Sequence, residues 1–131
     1  MRKTAVIIDD ERLARNELKK MLVDYPEIEV VGEAANVDEA RKIIEELNPE
    51  LIFLDIQLSD GLSFEIFEEI DIKSAIIFTT AYDEYALKAF KLNSIDYLLK
   101  PIDAFELEKA VLKFKERLPE NTKFSLDLDD I

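Results

Sequence analysis

The sequence contains no cysteine and no histidine. Without cysteine there is no disulfide, no thiolate metal site and no thiol nucleophile, and the composition suits a reducing compartment. Without histidine there is no Ser-His-Asp triad, no imidazole ligand and no imidazole acid–base group. Glycine is scarce: with only Gly32 and Gly61, neither a G-x-G-x-x-G turn nor a Walker A loop can be written. Positive charge is in deficit, with 17 basic against 30 acidic residues and a formal net charge of −13. A domain this acidic does not bind a phosphate backbone by bulk electrostatics, so nucleic-acid binding by this segment is not expected. No run approaches the roughly 18 apolar residues of a spanning helix. The first apolar run, Ala5–Ile8, is too short for a signal segment and is stopped by Asp9-Asp10. The expectation is a soluble, cytoplasmic protein with no membrane partner. Its chemistry is left to carboxylates, hydroxyls, lysines and the backbone.

What is present suits one domain. The chain has 131 residues, 48% of them hydrophobic, which is enough for a core and too much for a disordered tail. Short apolar runs alternate with amphipathic segments. Strands are expected at Thr4–Ile8, Ile28–Ala34, Leu51–Leu54, Ala75–Phe78 and Ile95–Leu99. Helices are expected over 11–24, with Leu13, Ala14, Leu18, Met21 and Leu22 as its apolar stripe, and from the N-cap Asn36 through Leu47. Three more are expected around 63–70, over 83–92 and over 103–118, and residues 57–61 read as a loop. Near-continuous apolar strands indicate a parallel sheet covered on both faces. The expected fold is α/β: a doubly wound five-stranded parallel sheet with five flanking helices, in flavodoxin-like or Rossmann-like order. Residues 1–119 would form this domain. Residues 120–131, with four acids and one lysine, would be an acidic linker or chain end.

In such sheets ligands sit at the carboxyl ends of the strands. The first strand ends in Asp9-Asp10, the third in Asp55, the fourth in Thr79-Thr80 and the fifth in Lys100. If the first and third strands are neighbours, three carboxylates converge. Carboxylates sharing a site repel, so they call for a cation. Mg²⁺ meets that need with oxygen ligands. A hydroxyl and a lysine nearby supply donors for the equatorial oxygens of a phosphoryl group, and an aspartate can be the nucleophile. These residues read as a Mg²⁺-dependent aspartyl phosphorylation site, whose phosphohistidine donor, if any, must be another protein.

Four motifs carry a resemblance: Val6-Ile7-Ile8-Asp9-Asp10-Glu11, Ile52-Phe53-Leu54-Asp55, Phe78-Thr79-Thr80-Ala81 and Asp96-Tyr97-Leu98-Leu99-Lys100-Pro101. Together, in this order, they resemble a response-regulator receiver domain over residues 4–118. The run from Ala81 to Phe90, with Ile95–Pro101, is similar to receivers of the LytTR type, which usually precede a DNA-binding output domain. The resemblance implies strand order 2-1-3-4-5 and Asp55 as phosphoacceptor. It implies Mg²⁺ on Asp10, Asp55 and the backbone carbonyl of Gln57, with Asp9 acting through a water. Lys100 would pair with the acyl phosphate and Thr80 would hydrogen-bond it. Thr79 is the rival, but Ala81 follows Thr80 as in the family pattern. Tyr97 would turn inward as Thr80 moves, and the Lys100-Pro101 bond would be cis. Gln57 and Tyr82 stand where phosphate lifetimes are tuned.

The implied partners are a sensor histidine kinase, a second copy of the chain on phosphorylation, and DNA only through an output domain absent from this chain. The switching surface would be the fourth helix, fifth strand and fifth helix. Two departures concern the loop after the third strand: Ser59 stands where many receivers have proline, and Gly61 comes early. A haloacid-dehalogenase-like phosphatase would need an acid at position 57, where this chain has Gln57. A receiver fold that is never phosphorylated is the other alternative. The chain is therefore read as a signalling domain rather than an enzyme.

Overall fold

Strands that are apolar on both faces must be covered on both faces, and the chain meets this by alternating them with amphipathic helices. The computed structural model describes residues 2–82 and 94–117. Its main sheet is built from β1 (Lys3–Ile8), β2 (Ile28–Ala34), β3 (Leu51–Asp55), β4 (Ala75–Thr80) and β5 (Asp96–Leu99). All neighbours are parallel, in the order β2-β1-β3-β4-β5. This is the flavodoxin-like order, and it settles the choice that strand spacing alone left open. The register sets Ile8 beside Leu54, Asp55 beside Thr79 and Phe78 beside Tyr97.

The helices are α1 (Arg12–Leu22), α2 (Val37–Leu47), α3 (Ile66–Glu69), which continues a 3₁₀ turn at Ser63–Glu65, and α4 (Ala104–Glu116). The helix expected over 83–92 and the acidic tail lie outside the described residues. Caps explain where α2 and α4 start. Asn36 accepts from the Glu39 amide, and Asp103 accepts from the amides of Phe105 and Glu106. Asn48 closes α2 in the left-handed conformation at φ 45°, and Pro49 follows it. No helix among the described residues is long and apolar enough to cross a membrane.

The sheet separates two cores. On one face Ile7, Phe53 and Ile77 pack against Leu18 and Leu22 of α1 and Leu107, Val111 and Phe114 of α4. On the other, Ile8, Leu54 and Phe78 meet Ala40 and Ile44 of α2 and Phe64 and Ile66 at α3. The Phe64 and Phe78 rings meet edge-on, with centroids 5.4 Å apart. Leu13, expected on the apolar stripe of α1, is instead 79% exposed. It lies five positions before Leu18, about 140° around the helix from the buried side. The segment expected as a loop over 57–61 is also more ordered than its composition suggests: Gln57-Leu58 and Gly61-Leu62 pair as an antiparallel ribbon.

Gly32 on β2 allows α2 to sit close. A Cβ there would meet Ile43 Cδ1 at 2.5 Å and Leu47 Cδ1 at 3.0 Å. The atoms met are terminal methyls of partly exposed side chains that can turn aside, so Gly32→Ala is expected to destabilise the domain by no more than about 1 kcal/mol, at or below the low end of overpacking costs. Urea unfolding checks this, and an unchanged midpoint would mean that α2 lifts away at no cost.

Candidate functional site

The site forms where apolar strands end in acids at the carboxyl edge. β1 runs out at Ile8, and the next residue, Asp9, is 4% exposed. Its amide donates to the Ala34 carbonyl at 3.0 Å, which extends the β2 pairing. Its carboxylate turns back to accept from the Glu11 amide at 2.9 Å, so Asp9 shapes the entry to α1. Asp55, 5% exposed, is the last residue of β3. The neighbouring order of β1 and β3 brings these two beside the exposed Asp10. Oxygens of Asp9, Asp10 and Asp55 lie within 4.8 Å of one another.

Lys100 comes to them from the far end of β5. Its Nζ lies 2.7 Å from Asp9 Oδ2 and 3.0 Å from Asp55 Oδ2. Its own amide donates to the Thr80 carbonyl at 2.7 Å, continuing the β4–β5 pairing past Leu99. The Lys100–Pro101 peptide is cis. Burial raises the Asp55 pKa from 3.8 to about 6 against the opposing charge of Lys100, and the charges of Asp9 and Asp10 add to the rise. Burial alone would lower the Lys100 pKa. The Asp9 hydrogen bond and the charges of Asp55 and Asp9 outweigh it, and the ammonium stands above the ordinary lysine value.

Three oxygen donors with no imidazole or thiolate available suit a hard cation such as Mg²⁺ and not a softer metal. Gln57 stands two residues beyond Asp55, at the start of the ribbon. The two threonines at the end of β4 are both buried. Thr79, with Asp9 and Lys100, borders a cavity of about 510 Å³ beneath the Lys100–Pro101 turn. Thr80 accepts at Oγ1 from the Tyr82 amide at 3.1 Å, and Tyr97 on β5 donates its hydroxyl to the Tyr82 carbonyl. Thr80 and Tyr97 are thus joined through one residue.

Two contributors escaped the sequence reading. Arg15 of α1 donates to the Asp9 carbonyl at 2.6 Å and to Glu33 of β2 at 2.9 Å, and so fixes the backbone at the acid pair. Asp60, at the tip of the ribbon, accepts from the Val37 amide at 2.7 Å and the Asp38 amide at 3.3 Å. Neither contact leaves a mark in hydrophobic periodicity, because each joins a side chain to a backbone group on another segment.

The fold and site together define a doubly wound α/β domain with an all-oxygen acid pocket at its carboxyl edge. The chain belongs to the response regulator receiver domain family, whose model matches residues 5–112. It is 43% identical over 115 residues to the sensory transduction protein LytT of Bacillus cereus, covering 86% of this chain and 47% of that protein. It is 40% identical over 126 residues to the transcriptional regulatory protein BtsR of Escherichia coli, covering 88% and 53%. Among solved structures it resembles the response regulatory domain of protein mrkE from Klebsiella pneumoniae, at TM-score 0.75 and 26% identity, over 87% of this chain and 99% of that one. A two-component response regulator of the LuxR family from Aurantimonas matches at TM-score 0.76 and 27% identity, over 85% and 83%. The chain spans about half the length of the curated relatives it matches. Receiver domains are signalling domains that sensor histidine kinases phosphorylate, and they generally bind Mg²⁺ at the acidic pocket.

The raised Asp55 pKa has a consequence for stability. An acid whose folded value exceeds its unfolded value is disfavoured by the fold when charged, so stability falls as pH rises from about 4 through about 6. Asp55→Asn is expected to raise the melting temperature at pH 7.5 in EDTA, by no more than about 3 kcal/mol of stability. The gain should shrink to about a third by pH 4.5. Thermal melts at the two pH values check this, and a gain that ignores pH would show that the charge of Asp55 is not its source.

Proposed function

We propose that this domain accepts a phosphoryl group on Asp55 from a partner sensor histidine kinase and passes the event on through β5 and the helices beside it. The observation that carries the reading is Lys100 Nζ bridging Asp9 and Asp55 inside the acid pocket. A lysine placed there is already positioned beside the carboxylate to which phosphorus would be joined.

In the transfer, a carboxylate oxygen of Asp55 attacks the phosphorus of the donor phosphohistidine. The P–N bond breaks, its electron pair returns to the imidazole nitrogen, and an acyl phosphate forms. Asp10, Asp55 and the Gln57 carbonyl would hold Mg²⁺, with Asp9 reaching it through a water. Bound there, the ion supplies positive charge to the equatorial oxygens. Lys100 exchanges its contact with the free carboxylate for one with the acyl phosphate. Thr80 donates its hydroxyl to another phosphoryl oxygen. That movement alters the Tyr82 segment, and through it the position of Tyr97, because Tyr82 bonds to both. The phosphoryl group adds about −1.5 to −2 charges, enough to bias a surface with two arrangements.

The switched surface would be the segment over 83–92, β5 and α4. Its outcome would be self-association or the release of an output domain. DNA binding by a longer protein would belong to that output domain, as a net charge of −13 opposes binding of this chain to a phosphate backbone. The name of the Escherichia coli relative, a transcriptional regulatory protein, supports such an output.

Intact mass after incubation with acetyl phosphate tests the acceptor. One Mg²⁺-dependent, hydroxylamine-labile phosphoryl group is expected on the wild type and none on Asp55→Ala. Equal labelling of the variant would move the acceptor elsewhere, and no labelling of folded wild type by acetyl phosphate or a kinase would favour an interaction module. Lys100→Ala is expected to accept phosphoryl yet lose any phosphorylation-dependent self-association in sedimentation runs. Wild-type association by that variant would remove Lys100 from the switch.

A further inference from the structure

We propose that Asp60 is a positioning residue for the cation site, acting by tying the Gln57 ribbon to the N-terminus of α2. The proposal rests on the reading that the Gln57 carbonyl helps to hold Mg²⁺, and it assigns the group that fixes that carbonyl in place.

The ribbon is anchored at both ends. At its base, the Ile56 amide donates to the Thr79 carbonyl at 3.1 Å and the Ser63 amide donates to the Ile56 carbonyl at 2.8 Å. These bonds fasten the base to β4 and to the start of the 3₁₀ turn. At its tip, Leu58 pairs with Gly61, leaving Ser59 and Asp60 as the two turn residues. Neither has a positive φ, so the left-handed part of the reversal falls on Gly61 at +150°. Nothing in the turn itself replaces the stiffening proline that is absent at Ser59. The Asp60 carboxylate supplies the stiffness from outside, by accepting from the amides of Val37 and Asp38.

Those two amides are groups that α2 cannot satisfy within itself. Asn36 satisfies the next one, at Glu39, and the Glu39 side chain accepts from Ala35. The Val37 and Asp38 amides are thus partnered through Asp60, and a carboxylate at this end is also favoured by the helix dipole. Gln57 lies between the two anchors, three residues from Asp60 and two from Asp55. Freeing the tip lets the Gln57 carbonyl wander relative to Asp10 and Asp55. Groups that hydrogen-bond a metal ligand directly typically cost about 10- to 100-fold in affinity when removed, and Asp60 acts one step further out, which sets the expected loss at the low end.

The test is Mg²⁺ titration by calorimetry on the full 131-residue chain. Asp60→Ala is expected to bind Mg²⁺ roughly 10-fold more weakly. Asp60→Asn, whose amide oxygen still accepts an N–H, is expected to recover most of that loss. Val37→Pro removes the shorter of the two bonds from the helix side and leaves the Asp38 amide to Asp60. Proline is tolerated at a first helical position, and Asn36, at φ −156° and ψ 175°, already has the extended backbone a residue before proline needs. This variant should weaken binding by a smaller factor than Asp60→Ala, and the double variant no further than Asp60→Ala alone. Asn36→Ala removes a cap at the same helix end without touching the ribbon. It should lower the melting temperature and leave Mg²⁺ affinity at the wild-type value.

Wild-type affinity in folded Asp60→Ala and Val37→Pro would overturn the tether, as would an equal loss in Asn36→Ala. If Asp60→Ala does not fold, Val37→Pro decides. If folded wild type binds no Mg²⁺, the cation reading falls and the tether with it, an outcome distinct from equal binding by all variants.

Discussion

One ammonium group shared by two buried carboxylates is the contact on which this structure turns. Asp9 and Asp55 sit at the ends of neighbouring strands because β1 and β3 pair in parallel. Acids so placed are costly to keep charged: burial first, and the charge of Asp9 after it, push the Asp55 pKa up. Lys100 answers it only because the order of the sheet puts the end of β5 on the same edge, one strand beyond β4. The ammonium therefore reaches across β4 to the middle of the sheet. A change in charge at Asp55 would act directly on a residue that follows an edge strand, β5.

The backbone around this contact is held from several sides. Arg15 and Glu33 steady the Asp9 carbonyl, and Lys19 adds a second cation to Glu33 at 2.6 Å. The paired cations hold the Glu33 carboxyl below its ordinary range, the Lys19 hydrogen bond most of all, against the opposing effect of burial. On the other side of the acids, the ribbon carrying Gln57 is fastened to β4 and to α2. The acid pocket is thus framed by rigid backbone, while Thr80, Tyr82 and Tyr97 are joined by side-chain bonds that a rotation can exchange. Stiff support beside exchangeable contacts would suit the two-position switching proposed above.

Much of this was legible in the sequence because buried parallel strands stop at their first charge. Asp9, Asp55 and Lys100 each mark the point where an apolar run meets the ligand edge, so the site and the strand ends were read from the same residues. The strand order needed more than periodicity, since apolar runs do not say which neighbour they choose. Leu13 misled because an apolar residue near a helix start fits several phases, and only Leu18 and Leu22 fix the buried side. The ribbon at Gln57–Leu62 was hidden by its polar turn, and Asp60 by the 23 residues that separate it from Val37. Bonds from a side chain to a distant amide depend on where backbone ends up, which local pattern does not encode.

The close approach of α2 to β2 also sets a rule for how such sequences can diverge. Gly32 lies under Ile43 and Leu47, and the three positions share one volume. A lineage that acquires alanine at position 32 has to turn aside or trim one of the two side chains above it, and a lineage that trims first gains room for the alanine. The order of these steps matters, since only the second passes through an intermediate that is underpacked rather than overfilled. Positions 32, 43 and 47 should therefore change together across related domains, with the loss of bulk on the helix preceding the gain on the strand.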